Sequence, residues 1–182
     1  VPTFEWLGLT LTPVVSDWLA RLEAGQGLPP LEPGVHELAY LAPQDDSAQP
    51  YYLHIPRSYS AKTPAPAIVY LHGYSPDLNK ANWHLLPTGL TDLADARGYI
   101  LIVPFARSNT DFQGIGETDV LHVLALAQQQ LKIDPDRIFL VGYSMGGMGA
   151  YTIAAHAPDL WAGVVALCAR ADYYLWKGLD AE

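Results

Sequence analysis

The stretch GYSMG, Gly142 to Gly146, places a serine between glycines two positions away on either side. A serine hydroxyl attacks a carbonyl only if it projects into open space and something activates it. Glycines at that spacing permit a backbone bend that side chains would block. The pattern alone arises by chance in roughly one chain in twenty of ordinary composition, so its weight comes from where it lies. It falls where the apolar run RIFLVGY ends and a small-residue helical segment begins, a strand-to-helix corner at which amides of the helix N-terminus favour negative charge. A serine that only caps the helix is the plain alternative. A cap does not need Gly142, Gly146, Gly147 and Gly149 around it, and the last two would let the helix lie close on the sheet. The pattern therefore nominates Ser144 as a nucleophile.

Attack on a carbonyl creates an oxyanion that needs positioned donors. The backbone N–H of Met145, the residue after the serine, is one candidate. The second should come from the loop after an earlier buried strand, and VYLHGYSPD (Val69 to Asp77) has that form. There the N–H of Tyr74 is the candidate donor, with Gly73 allowing close approach. His72 is read as a buttress of this loop rather than as a base.

The elements that must carry these residues can be read from periodicity and breakers. VHELAYLA (Val35 to Ala42) and YYLHIP (Tyr51 to Pro56), joined by PQDDSAQP, predict an antiparallel pair. PAIVYLHG (Pro66 to Gly73) and YILIVPF (Tyr99 to Phe105) are continuous apolar runs, as strands covered on both faces should be. TGLTDLADARG predicts a helix with Thr88 or Thr91 near its start and Gly98 past its end. ETDVLHVLALAQQQLKI (Glu117 to Ile133) predicts another, with acidic residues in its first turn. IDPDR reads as the turn into RIFLVGY, and WAGVVALCA as a last strand. Alternating strands and helices predict an α/β fold: a mostly parallel sheet flanked by helices, with an antiparallel N-terminal edge. Residues 1–33 are expected to form an N-terminal extension, a short helix over Thr12 to Gly25 and a Pro/Gly-rich linker, lying on a main domain of residues 34–182.

Bulk properties narrow the partners. Nineteen acidic against ten basic residues give a net charge of −9, and no cluster of Lys and Arg offers a nucleic-acid surface. No run approaches the roughly 20 apolar residues of a membrane span. The single Cys168 sits in an apolar run and is read as a buried core residue. One thiol does not fix the compartment, and a cytoplasmic protein or a processed secreted one both fit. No His/Cys cluster has metal-ligand spacing. GIGETD (Gly114 to Asp119) lacks a nucleotide-loop pattern and is read as a glycine loop lining the cleft. Glu117 and Asp119 have a structural reason to stand at a helix start. No cofactor is implied. Trp83, Phe112 and Tyr143 could line an apolar acyl or aromatic site, although packing accounts for each at least as well.

Taken together, YYLHIPRSY, PAIVYLHGY, the block TDVLHVLALAQQQLKIDPDRIFLVGYSMGGMGAY and APDLWAGVVALCA resemble the α/β-hydrolase superfamily. The likeness is to its branch of feruloyl and acetyl-xylan esterases, polyhydroxybutyrate depolymerases and prolyl-oligopeptidase-like enzymes. It spans Tyr51 to Ala169. The resemblance implies an α/β-hydrolase fold and hydrolysis of a small or polymeric ester through a Ser-His-Asp triad and an acyl-enzyme. A peptidase is the enzymatic alternative. A non-catalytic module of the same fold, binding a partner or carbohydrate, is the other.

The chain also departs from that pattern. The superfamily order is Ser, then Asp or Glu, then His, and after GVVALCA only RADYYLWKGLDAE remains. The usual acid and base positions are absent. His156 lies about 18 Å along the helix from Ser144 and is read as steadying the helix end. His36 and His54 belong to edge strands, His122 to a helix, and His84 to a loop that could border the cleft. Asp172 and Asp180 read as solvated. The expectation is a domain lacking its C-terminal strands, inactive unless complemented, with the missing part possibly on a second chain. The alternative is a natural truncation that has lost catalysis. A sheet ending at GVVALCA would expose an apolar edge, which the aromatic tail Tyr173 to Gly178 could cover in part.

Overall fold

Six strands form one sheet: β1 (Gly34–Leu41), β2 (Ala48–Ile55), β3 (Ala65–Leu71), β4 (Ile100–Pro104), β5 (Ile133–Tyr143) and β6 (Gly163–Leu167). They lie in the order β1-β2-β4-β3-β5-β6. The computed structural model describes residues 20–26, 29–80, 86, 87 and 89–171. The chain divides into two compact units, Val1–Glu32 and Pro33–Glu182. In the first, a helical turn over residues 20–23 stops at Gly25, whose φ of 69° lets its N–H reach the Leu22 carbonyl at 3.0 Å. The sheet and its helices belong to the second.

β1 alternates between half-buried and exposed positions, as a one-faced edge strand should. It pairs antiparallel with β2, Gly34 opposite Ile55 and Leu41 opposite Ala48. β2 begins earlier than the apolar run suggested, because Ala48, Gln49 and Pro50 also pair. The connection is thereby cut to Ala42–Ser47, where Asp45 accepts both the N–H and the hydroxyl of Ser47. β2 meets β4 antiparallel, and β4, β3, β5 and β6 then run parallel. Every residue of β4 is buried, which explains why its sequence shows no alternation.

Three helices connect the parallel strands: α1 (Leu90–Arg97), α2 (Ile115–Gln130) and α3 (Met145–His156). α1 closes at Gly98, whose left-handed conformation returns its N–H to the Ala94 carbonyl. Its N-cap is Gly89, with no side-chain cap; Thr91 lies inside the helix and Thr88 outside the described residues. α2 ends before the apolar pattern does. Leu131 is extended and buried, and the Lys132 carbonyl accepts the Ala65 N–H, so the chain has already joined the sheet. Hence IDPDR, expected as a turn, lies within β5. It is an irregularity there: the register moves from Ala65 opposite Ile133 to Ala67 opposite Ile138, and Asp134 closes the bulge by accepting from Arg137 at 2.7 Å.

The order of connections positions the site. The chain passes from β3 to β4 on one side, then back across β3 to β5 and on to β6. Right-handed crossovers in opposite directions set their helices on opposite faces of the sheet. The loops leaving the adjacent strands β3 and β5 therefore lead to opposite faces, and the C-terminal ends of such a strand pair are where an α/β fold is expected to bind its ligand. One loop carries Tyr74 and the other Ser144.

Candidate active site

β5 ends at Tyr143, and Ser144 takes φ 53°, ψ −113° before α3 begins. An L-residue in that region costs about 1–3 kcal/mol and persists only where its surroundings enforce it. Here the Ser144 N–H donates to the Leu167 carbonyl at the end of β6, and its carbonyl accepts the Met148 N–H. A Cβ on Gly142 would strike the Gly146 carbonyl, and one on Gly146 would strike the carbonyl of Leu71, so the corner closes only with glycine at both. Ser144 stands at the N-cap position of α3, yet its hydroxyl makes no capping bond. Among the described residues that hydroxyl has no hydrogen-bond partner, and the residue is half-buried. The capping alternative is thereby removed.

The same close approach brings the second segment in. Gly146 lies against the Leu71 and His72 carbonyls, and Gly73 against the ring and carbonyl of Tyr143. Ser144, Met145 and Tyr74 thus sit on two touching pieces of chain. Met145 is the first helical residue, so its N–H has no intrahelical acceptor. Tyr74 is 62% exposed.

His72 is 1% exposed, and its ring is held between two carbonyls, Nδ1 to Gly73 at 2.9 Å and Nε2 to Phe105 at 3.1 Å. Burial lowers its pKa, while the two carbonyls oppose the shift. A histidine tied off in this way supports the loop. Phe112 is fully buried, with its ring 5.0 Å from that of His72 and its Cβ under Gly149. It packs rather than lining a pocket, and Gly149 makes room for this loop rather than for the sheet. Tyr143 is exposed; Trp83 and His84 lie outside the described residues.

Three further histidines are engaged elsewhere. His54 pairs with Asp95 at 3.1 Å, and the Asp95 carboxyl is held below the usual range mainly by the Arg57 N–H. His122 stacks near Tyr40, centroids 4.7 Å apart. His156 joins Glu117 at 2.9 Å, linking the last turn of α3 to the first of α2. GIGETD is the beginning of α2 rather than a cleft loop, and a side chain at Gly116 would run into Thr110. Cys168 is exposed, against the expectation of burial: it follows β6, the last strand among the described residues, where the chain turns left-handed, φ 53°.

Sequence reasoning missed the loop after β4. Ala106, Arg107 and Ser108 all have positive φ. Arg107 holds this turn by donating to Asp119, 2.7 Å away and 1% exposed, while forking onto Asp45 of the β1–β2 turn. The pairing drives the Asp45 carboxyl far below its usual range and the guanidinium above its own. The polar run RSNTD was the available signal, but its partners are distant in sequence.

Comparison with known proteins agrees with this fold. Residues 110–180 match the prolyl oligopeptidase family. The chain is 32% identical over 106 residues to the bifunctional acetylxylan esterase/xylanase XynS20E of Neocallimastix patriciarum, covering 52% of this chain and 15% of that protein. Among solved structures it resembles the fluorophosphonate-binding serine hydrolase FphF of Staphylococcus aureus, with TM-score 0.68 and 20% identity, over 84% of this chain and 63% of that one. It also resembles the S-formylglutathione hydrolase FrmB of the same organism, with TM-score 0.61 and 23% identity, over 86% and 67%. The chain thus spans only part of these relatives. Its fold is that of the α/β-hydrolases, and the proteins it is similar to include esterases and serine hydrolases.

Proposed function

We propose that this chain carries the nucleophile of a serine hydrolase acting on carboxylic esters. The Ser144 oxygen attacks the ester carbonyl, the amides of Tyr74 and Met145 bind the resulting oxyanion, and loss of the alcohol leaves an acyl-enzyme that water hydrolyses. The observation that carries the reading is Ser144 itself: strained, at a helix N-cap, with a hydroxyl that does not cap. In this mechanism the serine proton passes to a histidine oriented by an acid. We assign both to polypeptide outside these 182 residues, either a continuation of the chain or a second chain. The partial coverage of the relatives and the β6 edge, unpaired among the described residues, support that assignment.

The test is treatment of the protein, as its gene encodes it, with a fluorophosphonate, followed by peptide mass mapping. A single adduct on Ser144, lost together with p-nitrophenyl ester turnover in Ser144→Ala, is expected. An adduct elsewhere, or turnover that survives the substitution, overturns the reading. The match of residues 110–180 to the prolyl oligopeptidase family favours a peptidase as the second reading, and preferential cleavage of a peptide anilide over the ester would select it.

A further inference from the structure

Asn109, on the left-handed loop after β4, reaches 34 positions back in sequence to the loop after β3. Its Oδ1 accepts the Ser75 N–H at 3.2 Å, and its Nδ2 donates to the Ser75 carbonyl at 2.6 Å. This fixes the orientation of the carboxamide, because the flipped group would set donor against donor and acceptor against acceptor. We propose that Asn109 is a positioning residue for hydrolysis at Ser144, holding the Tyr74 amide on the developing oxyanion. The proposal rests on the reading of Tyr74 as an oxyanion donor.

The argument runs through successive peptide planes. The Gly73 carbonyl faces His72 Nδ1, and since a trans peptide is planar, the Tyr74 N–H of the same unit must point the opposite way. The next N–H, that of Ser75, is held by Asn109. The Ser75 carbonyl after it takes both Asn109 and the Leu78 N–H. Pro76 further restricts Ser75 to extended conformations. Both torsions at Tyr74 are thus bracketed by ties, His72 before and Asn109 after. Without Asn109 only one side remains fixed, and the exposed Tyr74 could swing its amide off line. Asn109 is itself anchored: Ser108 donates to the Leu78 carbonyl at 2.8 Å, Thr110 to the Ala106 carbonyl at 2.8 Å, and Arg107 to Asp119.

The test measures p-nitrophenyl acetate hydrolysis by the protein as its gene encodes it, together with the affinities of an alkyl boronic acid and the matching alkyl amide. The boronic acid forms a tetrahedral anion on the serine; the amide binds without one. Asn109→Ala should lower kcat about 10- to 100-fold with KM held within about twofold. It should weaken the boronic acid by a similar factor and leave the amide unaffected. Asn109→Asp keeps the acceptor and the shape but loses the donor, and should fall between; it carries the test alone if the alanine variant does not fold. Unchanged kcat in every variant that folds, or equal weakening of boronic acid and amide, overturns the proposal while Ser144→Ala remains dead. Turnover that survives in Ser144→Ala overturns both this proposal and the reading beneath it.

Discussion

At Gly146 a single absent methyl group decides whether the corner can form. The atoms a Cβ would meet are the carbonyls of Leu71 and His72, backbone of a buried strand end that cannot move aside. Gly146→Ala should therefore destabilise by about 3 kcal/mol, the upper end of overpacking costs, seen as a lowered urea midpoint. Gly73→Ala is the contrast: its Cβ would meet the Tyr143 ring at 3.0 Å, and an exposed ring can rotate. It should cost clearly less. The backbone corner at Ser144 was legible because its requirement is local, glycines at fixed offsets in one stretch of chain. Asn109 was not, because its partner lies 34 residues away and an isolated Asn between Ser and Thr reads only as loop.

At the scale of elements, continuous apolar runs identified β3 and β4, and two strand-like runs joined by a polar segment identified β1 and β2. The ends were less legible: α2 stops where tertiary burial of Leu131 and Ile133 outweighs helical periodicity. The loop from Phe105 to Gly114 was invisible because its order is electrostatic. Three consecutive left-handed residues cost about 1–2 kcal/mol each, and what offsets them is Arg107 on buried Asp119. Arg107→Ala strands that carboxylate in the interior, and removing one partner of a buried pair costs about 3–5 kcal/mol. Arg107→Lys should recover only part of this loss, since an ammonium restores a charge beside Asp119 but not the planar guanidinium geometry that fixes the turn. Asp45→Asn leaves the Asp119 bond in place and should scarcely move the chemical denaturation midpoint. Equal losses for Arg107→Ala and Asp45→Asn would show that the exposed arm, not the buried one, holds the loop.

At the scale of the whole molecule the sheet is unevenly covered. β1, at one edge, alternates between half-buried and exposed positions as a solvent-facing strand does. β6, at the other, leaves Val164, Val165 and Leu167 40%, 45% and 47% exposed, with its outer row of backbone donors and acceptors unpaired among the described residues. That edge was anticipated from the apolar character of GVVAL, since such strands belong inside a parallel sheet. Its consequence is physical: an apolar strand with an open hydrogen-bonding edge is a template for another strand. The 182-residue polypeptide alone should therefore associate as its concentration rises, followed by light scattering. Val165→Lys, a charge on the open edge, should suppress association without lowering the unfolding midpoint by more than about 1 kcal/mol. Where further strands are supplied, by a longer polypeptide or a second chain, the same substitution should instead be costly, because the lysine is then buried beside its new neighbour. A variant that behaves alike in both settings would mean that β6 is a finished edge, and the base and acid proposed to serve Ser144 must then be sought elsewhere than across it.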